Sequence, residues 1–408
     1  MIKIQIKDIQ KFKDDYLSVI KDQVLHDLEL LKLSISHLLD PNLIKKNDIN
    51  SVSTLTKDIV NIIRTPKLVR SFFNKPVYLN AVKTYSDNAA IKKTNWQSLI
   101  SFINVLLDWK NDWLKTLLVG RPEVIKKFND KLITNYKFKI HEVEILKYGF
   151  KYNGEVGKKI RNFFYETSLT TYCPYCNLEL ALNSKNPTTG ATANQLNLDH
   201  FFDKDNNPLL SLSLFNLIPC DTTCNTTNKY TTEFSDEYHL NPYLSGFKRD
   251  MVFEPLFMKN TVYKINLKIN VLRTSKRYFQ LIGDADDINE KPMQGNLNVF
   301  QISTKYNQEY IYEELNWLSR QFLKAIQGFS SIDEFLKSMG EKNTESSFIN
   351  WYESTAKSKF HEKEFGKHAK SKLNRDFFDL IMRNHHRPEN KLYINLLEKS
   401  YDPSLGGE

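Results

Sequence analysis

The sequence predicts an α+β protein, mostly helical, with a small loop-rich module set between two larger regions. Three observations predict it. Apolar residues recur at helical spacing over most of the first 150 positions and again towards the C-terminus; alternating apolar residues follow position 260; and a central stretch, 171–243, rich in Asn, Thr, Pro and Asp, holds all four cysteines of the 408-residue chain. With 41% hydrophobic and 26% charged residues, the chain has the length and apolar content for two or three domains. The boundaries read from these shifts are 1–160, 161–250 and 251–408.

From Lys11 to about Phe150, segments such as "YLSVIKDQVLHDLELLKLSISHLL" and "NWQSLISFINVLLDWKNDWLKTLLV" predict helices, broken by Pro41, Pro66, Pro76 and "GRP" at 120–122. Residues 1–160 carry 28 Lys and Arg against 17 Asp and Glu, an excess of basic residues larger than the chain's net charge of +9. "RTPKLVRSFFNKPVYLN" and "RPEVIKKFNDK" join basic to aromatic residues, a mixture that suits a nucleic-acid backbone and equally an amphipathic helix. Residues 161–250 are acidic instead, 6 basic against 10 acidic. That asymmetry suits a protein whose flank attracts a polyanion and whose centre gathers carboxylates for a cation.

After the module, "TVYKINLKINVLR" and "RYFQLIG" alternate as strands do. "YIYEELNWLSRQFLKAIQGF", "SIDEFLKSMG" and "NRDFFDLIMRNHH" then predict helices, and the tail "YDPSLGGE" a frayed end. No run of about 18 apolar residues exists, and the N-terminus interleaves charge with hydrophobic residues. The expectation is a cytoplasmic protein with no membrane partner, in which thiols stay reduced. Four cysteines are then metal ligands or simply buried.

Their spacing favours a metal. Cys173-Pro-Tyr-Cys176 is a CxxC knuckle whose sulfurs can converge on one ion, and Cys220-Asp-Thr-Thr-Cys224 offers a second pair, one residue longer than the usual knuckle. Four thiolates at two corners predict a tetrahedral, structural Zn²⁺ site with no open position. Between the pairs stands "NLDHFF", whose alternation predicts a strand with Asp199 and His200 on opposite sides. Asn216 follows in "LFNLIP". Asn225 follows in "CNTTNKY", which predicts a helix start.

This order of Asp-His, Asn and Asn between zinc knuckles, over residues 171–230, resembles the HNH or ββα-metal endonucleases. The resemblance implies a nuclease module that hydrolyses phosphodiester bonds, DNA being the substrate and nucleic acid the partner. It implies one Mg²⁺ or Mn²⁺ held by Asp199 and Asn225, oxygen donors suited to a hard cation, with Asn228 the alternative to Asn225. His200 would take the proton from water, and Asn216 would tie the loop and hold the His ring. Lys229 and Lys204 would meet phosphate or lie on the surface. "HLNPYLSGFKRDMVFEP" and "NVFQISTKYNQEYIYEELNWLSRQF" are similar to segments after the core in nucleases of Septu-type and retron-linked antiphage systems, which work beside an ATPase partner. The chain itself has no GxxxxGK[ST] phosphate loop, so an ATPase would be a separate subunit. A zinc-stabilised nucleic-acid-binding module without catalysis is the competing class. An RNA-directed nuclease shares the same chemistry at phosphorus.

Overall fold

The computed structural model describes residues 1–39, 49–64, 89–181, 183–185, 192–194, 196–283, 294–340 and 344–385. Outside them lie Pro41, Pro66, Pro76, His386, the tail from 401 and, apart from Arg64, the basic-aromatic stretch 64–80. The described chain is mostly helical with three two-stranded sheets. None of its helices is long and apolar enough to cross a membrane. It forms two compact units. Of the described residues, one unit takes those within Asp8–Glu166 and His200–Leu217; the other takes those within Met1–Lys7 and Thr167–Asp199 and those from Ile218 on. The central segment 161–250 is therefore divided: its middle, 200–217, belongs to the first unit.

The unit containing Asp8–Glu166 is helical. Its helices are α1 (Ile9–Leu39), α2 (Ile49–Arg64), α3 (Ala89–Leu107), α4 (Asp112–Val119), α5 (Pro122–Asn135), α6 (Ile140–Leu146) and α7 (Glu155–Thr167). In α1, Tyr16, Ile20, Val24, Leu28, Leu31 and Ile35 are wholly buried, a stripe at three- and four-residue spacing that makes the helix one wall of the core. The "GRP" break works as its chemistry dictates. Pro122 starts α5 where no amide donor is needed. At Gly120 an added Cβ would lie 2.3 Å from the Thr116 carbonyl oxygen, so only glycine fits the close approach. Phe12 and Tyr16 meet Phe163 and Phe164 of α7, with Phe163 at 5.2 Å from both rings.

The loop 200–217 is short on regular structure, having only the 3₁₀ turns Pro208–Leu210 and Leu214–Asn216. Helices fix it instead. Tyr16 donates its hydroxyl to the Leu212 carbonyl at 2.8 Å, Ser213 donates to the Leu117 carbonyl, and Ser211 to that of Phe150. The first gives a loop carbonyl its donor, and the other two let loop serines satisfy the carbonyls of Leu117 and Phe150.

The other unit holds β1 (Asn183–Lys185) paired antiparallel with β2 (Thr192–Asn194). It also carries most of β3 (Leu196–His200) and of its partner β4 (Leu217–Asp221), and the hairpin of β5 (Met251–Met258) and β6 (Thr261–Ile269). The helices α8 (Lys276–Ile282), α9 (Asn296–Val299), α10 (Ile302–Tyr306), α11 (Glu309–Ile326), α12 (Ile332–Ser338), α13 (Thr344–Ala356) and α14 (Ser371–His385) complete it. Helix α14 packs on β5 and α11 on β6. Phe322, Phe348, Tyr352 and Phe378 form the aromatic core beside them.

"TVYKINLKI" is the expected strand, but "RYFQLIG" is helical, as α8. Ser275 accepts a hydrogen bond from the Tyr278 amide as N-cap, and Gly283, at φ 98°, terminates the turn. A cap at one end and a left-handed glycine at the other outweigh a weak alternation over seven residues.

Candidate functional site: a thiol-carboxylate corner, a buried ion pair and a histidine loop

Three clusters account for the residues singled out in the sequence. In the first, Cys173, Cys176, Cys224 and Asp221 are all buried, with ligand atoms within 4.8 Å of one another, a set compatible with zinc. The CxxC turn is closed by the Cys173 amide on the Glu179 carbonyl (2.8 Å) and the Asn177 amide on the Cys173 carbonyl (2.8 Å). Asn177 takes the left-handed conformation at φ 54°, which Asn tolerates. Its side-chain amide donates to the carbonyls of Phe365 and His368, and the Tyr306 hydroxyl donates to that of Cys176. The knuckle is thereby bolted to the C-terminal helices of its own unit.

The ligand set corrects the four-thiolate expectation. Cys220 and Asp221 are consecutive in β4, and successive side chains of a strand point to opposite faces. The cluster takes Asp221, whose Oδ1 accepts from the Cys224 amide (2.9 Å) and whose Oδ2 accepts from the Cys176 thiol (3.7 Å). Cys220 is buried outside the cluster, close enough to Asp199 to feel its charge. The signal was present in the sequence: Asp221-Thr-Thr-Cys224 has the two-residue gap of Cys173-Pro-Tyr-Cys176, which Cys220 does not. Burial pushes the Cys173 thiol well above the usual range. A zinc ion with three thiolates and one carboxylate carries excess negative charge. The Lys305 ammonium, 3.2 Å from the Cys224 sulfur, offsets part of it.

The second cluster surrounds Asp199. Lys229 donates to its Oδ1 at 2.6 Å and Tyr175 donates to its Oδ2 at 2.6 Å. Both members of the ion pair are buried, with side chains only 5–6% exposed. Tyr175 stacks on Phe300 at 4.1 Å, and the Lys229 ammonium lies 4.5 Å from the Phe234 ring, whose other contacts include His239 stacked at 3.9 Å. Burial pushes the Tyr175 hydroxyl well above its ordinary range, so it serves as a donor. Lys229 is thus turned inwards against its carboxylate, where a phosphate contact had been expected. It closes a π-helix, Thr223–Lys229, whose start carries Asn225; Asn225 and Asn228 are both half-buried.

The third cluster is the loop 200–217. His200 is half-buried, with Nε2 2.9 Å from the Ser211 carbonyl oxygen. A carbonyl only accepts, so in the neutral ring Nε2 carries the proton and Nδ1 keeps the lone pair. Tyr152 packs edge-on against the ring at 4.8 Å, and the Lys204 ammonium lies 5.8 Å from the Tyr152 ring. Asn216, wholly buried, spans the loop. Its Oδ1 accepts from the Phe202 amide (2.7 Å), and its Nδ2 donates to the carbonyls of Phe202 (3.0 Å) and Leu210 (2.9 Å). Three hydrogen bonds from one amide hold the residues on either side of the loop in register. Sequence reasoning had not singled out Ser211, Tyr152 or Tyr175, whose roles depend on contacts across 11, 48 and 24 positions of the chain.

The divalent ion implied at Asp199 and Asn225 does not fit the residues as they stand, because the Asp199 carboxylate already faces the buried Lys229 ammonium, whose positive charge would repel it. Set against known protein families, curated proteins and solved structures, the chain matches no family model, no curated protein and no solved structure.

Proposed function

We propose that the chain is an endonuclease of the HNH type that hydrolyses phosphodiester bonds in DNA, with His200 as the base that takes a proton from the attacking water. The observation that carries this reading is the pairing of His200 Nε2 with the Ser211 carbonyl, which leaves the proton-accepting lone pair on Nδ1. Asn216 is the positioning residue that holds Phe202 and Leu210, and so the loop on which His200 and Ser211 sit. The basic excess of residues 1–160 would attract the polyanion, and Arg121, which caps α5, is exposed together with Lys127 and Lys131 of that helix. The thiol-carboxylate corner, taken as zinc-loaded, is structural in this reading. Work beside a separate ATPase in antiphage defence remains the biological setting that the flanking segments suggest.

One observation favours the second reading, a zinc-stabilised nucleic-acid-binding module without catalysis: the Asp199 carboxylate is closed by Lys229. Cleavage of plasmid, single-stranded DNA and RNA by the purified chain, with Mg²⁺, Mn²⁺ or EDTA present, decides between them. His200→Ala is expected to lower the cleavage rate by roughly 10²–10⁴-fold, the usual worth of a general base, with DNA affinity and zinc content unchanged. A His200→Ala protein that cleaves as fast as the parent sinks the role of His200. A parent that binds DNA but cleaves nothing makes the binding module the better reading.

A further inference from the structure

We infer that Lys229 is the resident cation of the Asp199 carboxylate, a positive charge supplied by the chain itself where the resemblance places a divalent ion. Three features of the geometry lead there. First, both carboxylate oxygens are committed at 2.6 Å, one to the Lys229 ammonium and one to the Tyr175 hydroxyl. A Mg²⁺ or Mn²⁺ ion on the same carboxylate would have to share those oxygens with their donors and would face the positive charge of the ammonium directly. Second, the enclosure is aromatic: the Phe234 ring faces the ammonium, Phe300 backs Tyr175, and His239 backs Phe234. A hard cation asks for about six oxygen ligands at 2.0–2.1 Å, which ring faces do not supply, whereas a ring face does attract an ammonium. Third, the pair is shut off from water, so Lys229 cannot leave without exposing a buried negative charge to an apolar surrounding.

The pair also has a mechanical meaning. Asp199 lies in β3, immediately before His200, and Lys229 closes the π-helix that begins beside Cys224. The ion pair therefore ties the strand to the π-helix, and with it to the thiol-carboxylate corner. Asp199 is a structural anchor in this arrangement, and any divalent ion that serves the reaction binds without it. The inference rests on the nuclease reading only for where the ion was expected; its test does not use cleavage.

The full chain, zinc-loaded and freed of labile metal, is titrated with Mn²⁺ and followed by electron paramagnetic resonance, alongside Asp199→Asn. Parent and Asp199→Asn are expected to bind Mn²⁺ alike, within about twofold, whatever the strength of that binding. A Mn²⁺ site present in the parent and lost in an Asp199→Asn protein that still folds and keeps its zinc overturns the proposal. In melting experiments, Asp199→Asn and Lys229→Met should each lower the transition, and the double variant should lose less than the sum of the two. Strict additivity would mean that the two side chains do not interact, and would likewise overturn it. If Lys229→Met alone does not fold, the comparison of the parent with Asp199→Asn decides by itself. A protein that passes these tests and never cleaves DNA refutes the nuclease reading and leaves this one standing.

Discussion

The thiol-carboxylate corner and the histidine loop each concentrate polar chemistry in a short stretch of chain, yet they are built in opposite ways. The corner turns every functional group onto its neighbours: three sulfurs and a carboxylate converge, all buried. The loop commits one nitrogen of His200 to the Ser211 carbonyl and leaves the ring half-buried, while Asn216 carries the structural load. A closed set of ligands with no open position suits a staple, whereas a ring oriented through one nitrogen suits proton transfer through the other. The difference teaches that residue type alone does not separate structural from reactive groups. What separates them here is arrangement: ligand atoms that converge on one point in the corner, and a half-buried ring oriented by its neighbour in the loop.

The largest expected effect sharpens the corner's side of this contrast. Cys176→Ser and Asp221→Ala should both lose zinc and lower the melting temperature markedly, because metal-binding free energy in a small module is folding free energy. Cys220→Ser should keep the zinc, since its thiol lies outside the cluster. Elemental analysis of the three purified variants checks this; loss of zinc in Cys220→Ser with retention in Asp221→Ala would restore the four-thiolate site.

A smaller effect is expected in the loop. Asn216→Ala removes three hydrogen bonds, those with the Phe202 amide and with the carbonyls of Phe202 and Leu210, of which the last keeps the Ser213 amide as a donor, at a cost of about 2–4 kcal/mol. Denaturant unfolding measures it, and zinc content should not change. A variant that loses zinc together with stability would show that loop and corner are one cooperative element, which breaks the comparison.

The smallest effect contrasts two histidines. His239 is buried against Phe234, and burial lowers its pKa from 6.5 to about 4, whereas His200 is half-buried on its loop. A histidine depressed in the folded state binds its proton more readily when unfolded. Its stabilisation is therefore complete above about pH 6.5 and declines as pH falls towards 4, by at most about 3 kcal/mol. The melting temperature should fall over that window, and His239→Leu should flatten the fall. An unchanged slope in His239→Leu would assign the pH dependence elsewhere, with the buried His141 and half-buried His361, also depressed by desolvation, the next to replace.

Much of the architecture was legible in the linear text, because local patterns carry it. The stripe on α1, Pro122 at the start of α5, and the helices α11, α12 and α14 follow from periodicity and capping within a few residues of each position. So does the CxxC turn at Cys173 and Cys176, and the order Asp199, His200, Asn216, Asn225 can be read by spacing. Only the tertiary structure decided which neighbour in β4 faces the metal corner, since a one-residue step along a strand reverses the face and two adjacent ligand types, Cys220 and Asp221, compete for it. It also decided that Lys229 turns inwards to Asp199, and that Ser211 sets the tautomer of His200. Those outcomes depend on partners 30 and 11 positions away, brought together by burial, and no local pattern encodes which side chain will reach them first.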